Sequence, residues 1–217
     1  MSYSLNTTTI NTLSKEKPKN AVILCHGYGG DGKDISLLAN YWKTYLPETI
    51  FFCPDAPEKC AVSPTGFQWF DLMDQSQDQI LSKSIVAEIR LNKFIDEIKK
   101  NNNFTDNQIA LVGFSQGCMI SLQTGIKRKN SIKCIVGYSG KIINVDHLNK
   151  NLISRPNVFL MHGDIDEVVP VNFLLEAKDF FNKNNYKIET KIFENCEHRI
   201  PTEGSSLGLQ FIKKHLY

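Results

Sequence analysis

The amino-acid sequence predicts an α/β fold, a mostly parallel central sheet with helices on both faces, arranged as a single domain over residues 1–217. Three observations predict it. Short apolar, β-branched runs alternate along the chain with longer segments of helical period, the signature of a sheet layered between helices. Most of the runs are apolar throughout, as expected of strands covered on both faces. The composition, 41% hydrophobic and 22% charged over 217 residues, is that of an ordinary globular protein with enough chain to bury a substantial core.

Residues 1–19 form a polar segment without the apolar stretch of a secretory signal. Strands are expected at residues 21–25, 49–53, 108–113, 133–138, 157–162 and 187–193. The clearest helix covers 82–100, where Ile85, Val86, Ile89, Phe94, Ile95 and Ile98 form a stripe near the 3.6-residue period. Others are expected at 34–46, after Ser115, at 171–182 and at 204–215. Between 54 and 80 the chain holds Pro54, Pro57, Pro64 and Gly66 among aromatics with no clear period. A long irregular loop in a compact domain is usually functional or disordered, and Phe67, Trp69 and Phe70 argue against disorder. No repeat, low-complexity tract, linker or large cap insertion is visible.

Charge excludes some partners. With 25 Lys+Arg against 23 Asp+Glu, the chain lacks the concentrated basic excess of a nucleic-acid surface. No apolar run approaches the roughly 18 residues of a membrane-spanning helix, so a cytoplasmic protein without integral membrane association is expected. The cysteines at 25, 53, 60, 118, 134 and 196 have neither paired nor metal-like spacing. Reduced core thiols are expected, and no bound metal.

Gly113-Phe114-Ser115-Gln116-Gly117 matches G-x-S-x-G, a sharp strand-to-helix turn that lifts a serine hydroxyl above the sheet edge. Its context fits: an apolar strand runs directly into it, and Met119, Ile120, Leu122 and Ile126 give an apolar helix face directly after. A serine is a weak nucleophile until a base takes its proton. In this arrangement the partners follow in the order Ser, acid, His. Of the downstream histidines, His147 precedes the best acid, His162 is fixed by a strand and His215 closes the last helix. His198, in a polar loop between a strand and the final helix, remains as the base. Asp164 and Asp166 compete for the acid; Asp166 is preferred, with Asp164 bracing its own loop through an Asx-type turn. The oxyanion hole of such a site uses the backbone N–H after the nucleophile, here Gln116, and one from a loop after an earlier strand. The glycine-rich 25–32 loop supplies Tyr28; it lacks the spacing of a phosphate-binding loop.

Five landmarks carry a resemblance across nearly the whole chain: residues 26–32 (HGYGGDG), 54–57 (PDAP), 63–72 (SPTGFQWFDL), 113–117 (GFSQG) and 162–170 (HGDIDEVVP). Together they resemble the phospholipase/carboxylesterase family, which includes the acyl-protein thioesterases, and the segment around Gln68-Trp69-Phe70 is similar to its bacterial branch. The resemblance implies the α/β-hydrolase fold, Ser115, Asp166 and His198 as a triad, and Tyr28 and Gln116 as oxyanion donors. It also implies that Trp69, with Phe70, lines an acyl pocket in the 54–80 active-site loop; ordinary core packing is the alternative for both. Asn195 stands where relatives commonly carry Gly, and asparagine tolerates left-handed backbone. Cys118 and Cys196 stand where small or apolar residues are common, and would be either thiol-reagent-sensitive or buried and inert. The expected activity is a serine carboxylesterase for small to medium acyl esters, needing no metal or organic cofactor. Acyl-protein thioesterase or lysophospholipase activity is the alternative, and a non-catalytic binding module on the same fold is the rival, since fold alone does not establish function.

Overall fold

In a computed structural model describing residues 3–73 and 76–217, nine strands and six α-helices follow one another along the chain. They are β1 (Thr7–Ile10), β2 (Asn20–Cys25), α1 (Gly32–Trp42), β3 (Thr49–Pro54), β4 (Glu58–Lys59), β5 (Phe67–Gln68), α2 (Gln77–Asn102), β6 (Ile109–Phe114) and α3 (Gln116–Lys127), then β7 (Cys134–Tyr138), α4 (Val145–Lys150), β8 (Asn157–Gly163), α5 (Asn172–Lys183), β9 (Glu189–Phe193) and α6 (Thr202–Leu216). Seven strands make one sheet in the order β1-β3-β2-β6-β7-β8-β9. Every pairing is parallel except β1 with β3. The α/β-hydrolase fold follows from that order together with the helices on both faces.

Residue alternation divides the core into two layers, because successive side chains of a strand face opposite sides. From β2, Ala21, Ile23 and Cys25 meet Leu91, Phe94 and Ile95 of α2 and Ile120 and Leu122 of α3. From the same strand, Val22 and Leu24 join Ile35, Ala39 and Trp42 of α1 and Phe211 and Ile212 of α6. Both faces are therefore apolar, which is why the strands read as continuous runs.

Where element bounds differ from expectation, capping explains it. Helix α2 starts five residues before the expected 82, because Ser76 accepts the Gln79 N–H while the Gln79 side chain accepts the Ser76 N–H. This reciprocal cap holds a first turn that carries no apolar stripe. It ends at Asn103, left-handed at φ 58°, a usual helix stop. Strand β1 was not expected. Its Thr7-Thr8-Thr9-Ile10 lies within the polar N-terminal segment and pairs antiparallel with β3 at the sheet edge. The 54–80 stretch also contains structure: β4 and β5 pair as a short antiparallel hairpin.

Candidate active site

The elbow forms where β6 meets α3. Ser115 has φ 52° and ψ −118°, a strained conformation for a residue with a Cβ. Its own N–H donates to Tyr138 O at 2.8 Å, and helix α3 begins at the next residue. Both flanking glycines are needed for close backbone approach. A Cβ on Gly113 would lie 2.3 Å from Gly117 O, and one on Gly117 only 2.0 Å from Cys25 O. The second contact ties the elbow to the end of β2. Gly27 then sits beside the serine, since a Cβ there would lie 3.3 Å from Ser115 Cβ.

At the ends of β8 and β9 the other two candidates meet. His198 Nδ1 donates to Asp166 Oδ2 at 2.8 Å, which leaves Nε2 as the ring's free lone pair. The imidazole lies against the Phe114 ring of the elbow, centroids 4.9 Å apart. Among the described residues no hydrogen bond joins it to the Ser115 hydroxyl. Asp166 Oδ1 accepts the N–H groups of Val168 at 3.0 Å and Val169 at 2.8 Å. Burial pushes its carboxyl upward, but the Val169 N–H and then the His198 bond and charge outweigh that and hold it below the ordinary value. Buried His162 also approaches, its Nε2 3.4 Å from Asp166 Oδ2 and donating to Val169 O at 2.7 Å. Asp164 is exposed and accepts the Cys196 N–H at 3.2 Å. That is a long-range brace to the His198 loop rather than the local turn expected. The same loop turns at Asn195 with φ 51°, the left-handed backbone that asparagine tolerates.

The N–H groups of Tyr28 and Gln116 have no acceptor among the described residues. Two backbone bonds hold the Tyr28 loop against the hairpin, Gly29 N to Phe67 O at 2.9 Å and Phe67 N to Gly30 O at 2.8 Å. Burial, and next to it Cys60, pushes the Tyr28 hydroxyl up to about 12. A cleft of about 270 Å³ opens here, lined among others by Gly27, Tyr28, Ile35 and Phe114.

Trp69 and Phe70 are not part of that lining. Both are fully buried in the core layer under α2 and α3. Their backbone is fixed by the Gln116 side chain, whose Oε1 accepts the Trp69 N–H at 2.8 Å and whose Nε2 donates to Phe70 O at 2.6 Å. The Trp69 indole N–H donates to His26 O at 3.1 Å. His26 in turn donates from Nδ1 to Gly27 O at 2.7 Å and accepts the Ala56 N–H at Nε2, 2.9 Å away. Burial holds His26 below its ordinary value, in the neutral form these two bonds require. Sequence reasoning missed this frame of His26, Trp69 and the Gln116 side chain. Its members are far apart in the chain, so no local pattern signals it.

All six thiols are unpaired and buried. Cys118 packs where a Cβ on Gly137 or Gly140 would strike its sulfur, and burial, with the nearby Cys25, pushes it up to about 12. Such a thiol is a packing group. Among the described residues no cluster of His, Cys, Asp and Glu is arranged to hold a metal ion, and no helix is long and apolar enough to cross a membrane.

Comparison with known proteins is consistent across its forms. The sequence profile of the phospholipase/carboxylesterase family matches residues 7–217. Acyl-protein thioesterase 1 of Saccharomyces cerevisiae is 31% identical over 217 aligned residues, covering 91% of this chain and 93% of that protein. Esterase YpfH of Escherichia coli is 21% identical, covering 94% of this chain and 84% of its own. A crystal structure of esterase PE8 superposes with a TM-score of 0.93 at 31% identity, covering 98% of this chain and 99% of that one.

Proposed function

This chain belongs to the phospholipase/carboxylesterase family of carboxylic ester hydrolases, and we propose that it hydrolyses small to medium acyl esters through an acyl-enzyme on Ser115. His198 Nε2 takes the hydroxyl proton as the serine oxygen attacks the acyl carbonyl. Asp166 fixes the imidazole through Nδ1 and stabilises the imidazolium that forms. The N–H groups of Tyr28 and Gln116 receive the oxyanion in a pocket already organised before substrate arrives. His198 then protonates the leaving group, and water cleaves the acyl-enzyme by the same steps. None of these steps calls for a metal or organic cofactor.

The observation that carries this reading is the 2.8 Å His198–Asp166 bond, with the imidazole against Phe114, the residue that precedes a serine at φ 52°. A binding module would gain nothing from a strained serine in an elbow whose Phe114 carries an imidazole held by a carboxylate. Thioesters are the second substrate class, favoured by the similarity to the yeast protein named an acyl-protein thioesterase. A thiolate leaves more readily than an alkoxide, thiols having a pKa near 8.5, so the same machinery serves both. A cytoplasmic setting and a single domain over residues 1–217 accompany this reading. Ser115→Ala tests it: kcat on p-nitrophenyl acetate is expected to fall about 10⁴-fold or more, because triad members act as a unit. Ordinary turnover in that variant would disprove the assignment.

A further inference from the structure

The outer face of α1 carries apolar side chains that folding does not require. Leu37 and Tyr41, one helical turn apart, are 72% and 48% exposed, while the opposite face of the helix lies in the core. Tyr45 extends the line, its ring centroid 5.8 Å from that of Tyr41. Single exposed apolar residues are ordinary, but a contiguous row marks a binding surface. Leu37, Leu38 and Tyr41 form one wall of a groove of about 400 Å³, and Ile200 and Thr202 form the other. The Trp42 indole N–H donates to Ser205 Oγ at 3.2 Å and fixes α1 against α6 beneath it. Asp34 and Ile35 line both this groove and the cleft beside the elbow, so the two are neighbours.

The geometry points to this groove as the subsite for an apolar leaving group, the alkyl or aryl part of the alcohol or thiol that the enzyme releases. The inference rests on the role proposed above for Ser115 and His198. The departing atom must sit at His198, which protonates it. Phe114 lies against that ring, and Ile200 stands two residues beyond it. A chain attached through the departing atom and running past Phe114 toward Ile200 enters this groove, of which Ile200 is a wall. From Ile35 to Tyr41 the helix rises about 9 Å, roughly the span of an octyl chain. Asp34, the carboxylate at the junction, disfavours anionic leaving groups such as phosphodiester alcohols.

Acetate esters of graded alcohols test this, read as the ratio of kcat/KM for octyl over ethyl acetate within one preparation, so that loss of folded enzyme cancels. A fully buried methylene contributes about fourfold and one in an open groove about twofold, which gives the wild-type enzyme a ratio of about 60 over six methylenes. Leu38→Asp and Ile200→Asp are each expected to lower that ratio below about 5, while leaving the ratio of ethyl octanoate to ethyl acetate near its wild-type value. A wild-type ratio near one, variants that keep it, or variants that lose the alcohol and acyl preferences equally would overturn the assignment. Retained turnover in Ser115→Ala would sink the nucleophile reading by itself. A flat alcohol series in an enzyme that Ser115→Ala silences overturns the groove alone.

Discussion

Replacing Gln116 by alanine separates two roles carried by one residue. The backbone N–H, a proposed oxyanion donor, stays. The side chain, which bonds Trp69 N at 2.8 Å and Phe70 O at 2.6 Å, goes. All three residues are fully buried, so water cannot replace the lost partner without a cavity opening. Each orphaned buried backbone group costs about 1–3 kcal/mol, or about 2–6 kcal/mol for the pair. Against a total stability of about 5–15 kcal/mol, that is a large fraction. At this chain length 1 kcal/mol shifts Tm by about 2–4 °C, so a Tm about 10 °C lower is expected in a thermal melt followed by circular dichroism. The freed 69–70 segment also supports His26, through the Trp69 indole bond, and so the loop bearing Tyr28. A displacement of about 1 Å there is worth about 10²-fold in rate; kcat/KM at 25 °C is expected to fall by about 10–100-fold, far less than in Ser115→Ala. Gln116→Glu keeps the acceptor for Trp69 N–H but loses the donor to Phe70 O, and should lie nearer the alanine variant than the wild type. A Tm within 2 °C of wild type for Gln116→Ala would refute the argument that this side chain holds the site's frame.

Other consequences follow from packing and charge. A Cβ on Gly163 would lie 2.0 Å from Cys196 O, backbone that cannot swing aside, so Gly163→Ala is expected to cost about 1–3 kcal/mol and to lower kcat by moving the loop that carries His198; unchanged Tm and kcat would contradict that. His26, His162 and His215 are held below their ordinary value of 6.5, each mainly by burial. Such groups bind more protons unfolded than folded, so stability is full above pH 6.5 and declines as pH falls below it. Urea midpoints at pH 7.5 and 5.5 should therefore differ, the lower pH being weaker. His26→Gln should shrink the difference by up to about 1.4 kcal/mol per pH unit. An undiminished difference in that variant would reject the role given to His26. Asp166 acts only at lower pH: its depressed carboxyl contributes stability that is full above 3.8 and lost as pH drops further.

How much of this could be read beforehand depends on where the information lies in the chain. The parallel core strands were legible because both faces of each are buried, which forces an apolar run at every position. The elbow was legible because close backbone approach at Gly113 and Gly117 leaves no choice of residue. Strand β1 was not legible: an edge strand needs only backbone pairing with β3, and Thr7, Thr8 and Thr9 announce no buried face. The β4–β5 hairpin, two residues a side, is too short for any period. Helix α4, six residues capped by Asn144, buries only Leu148. His215 closes the last helix as expected, but its ring packs on Phe211 at 4.5 Å, and burial pushes it toward neutrality. The frame of His26, Trp69 and Gln116 joins residues 26, 69 and 116, and no local pattern encodes partners so far apart. For Trp69 and Phe70 the resemblance pointed to an acyl pocket, and both side chains are completely buried.

The central claim is that Ser115 becomes covalently acylated under the influence of His198 and Asp166. A fluorophosphonate probe, followed by peptide mass mapping, tests it most directly. The account predicts one adduct, on the peptide containing Ser115, formed at a rate that Asp166→Asn lowers about 10³–10⁴-fold. An adduct on any other residue, or a rate indifferent to Asp166, would contradict it.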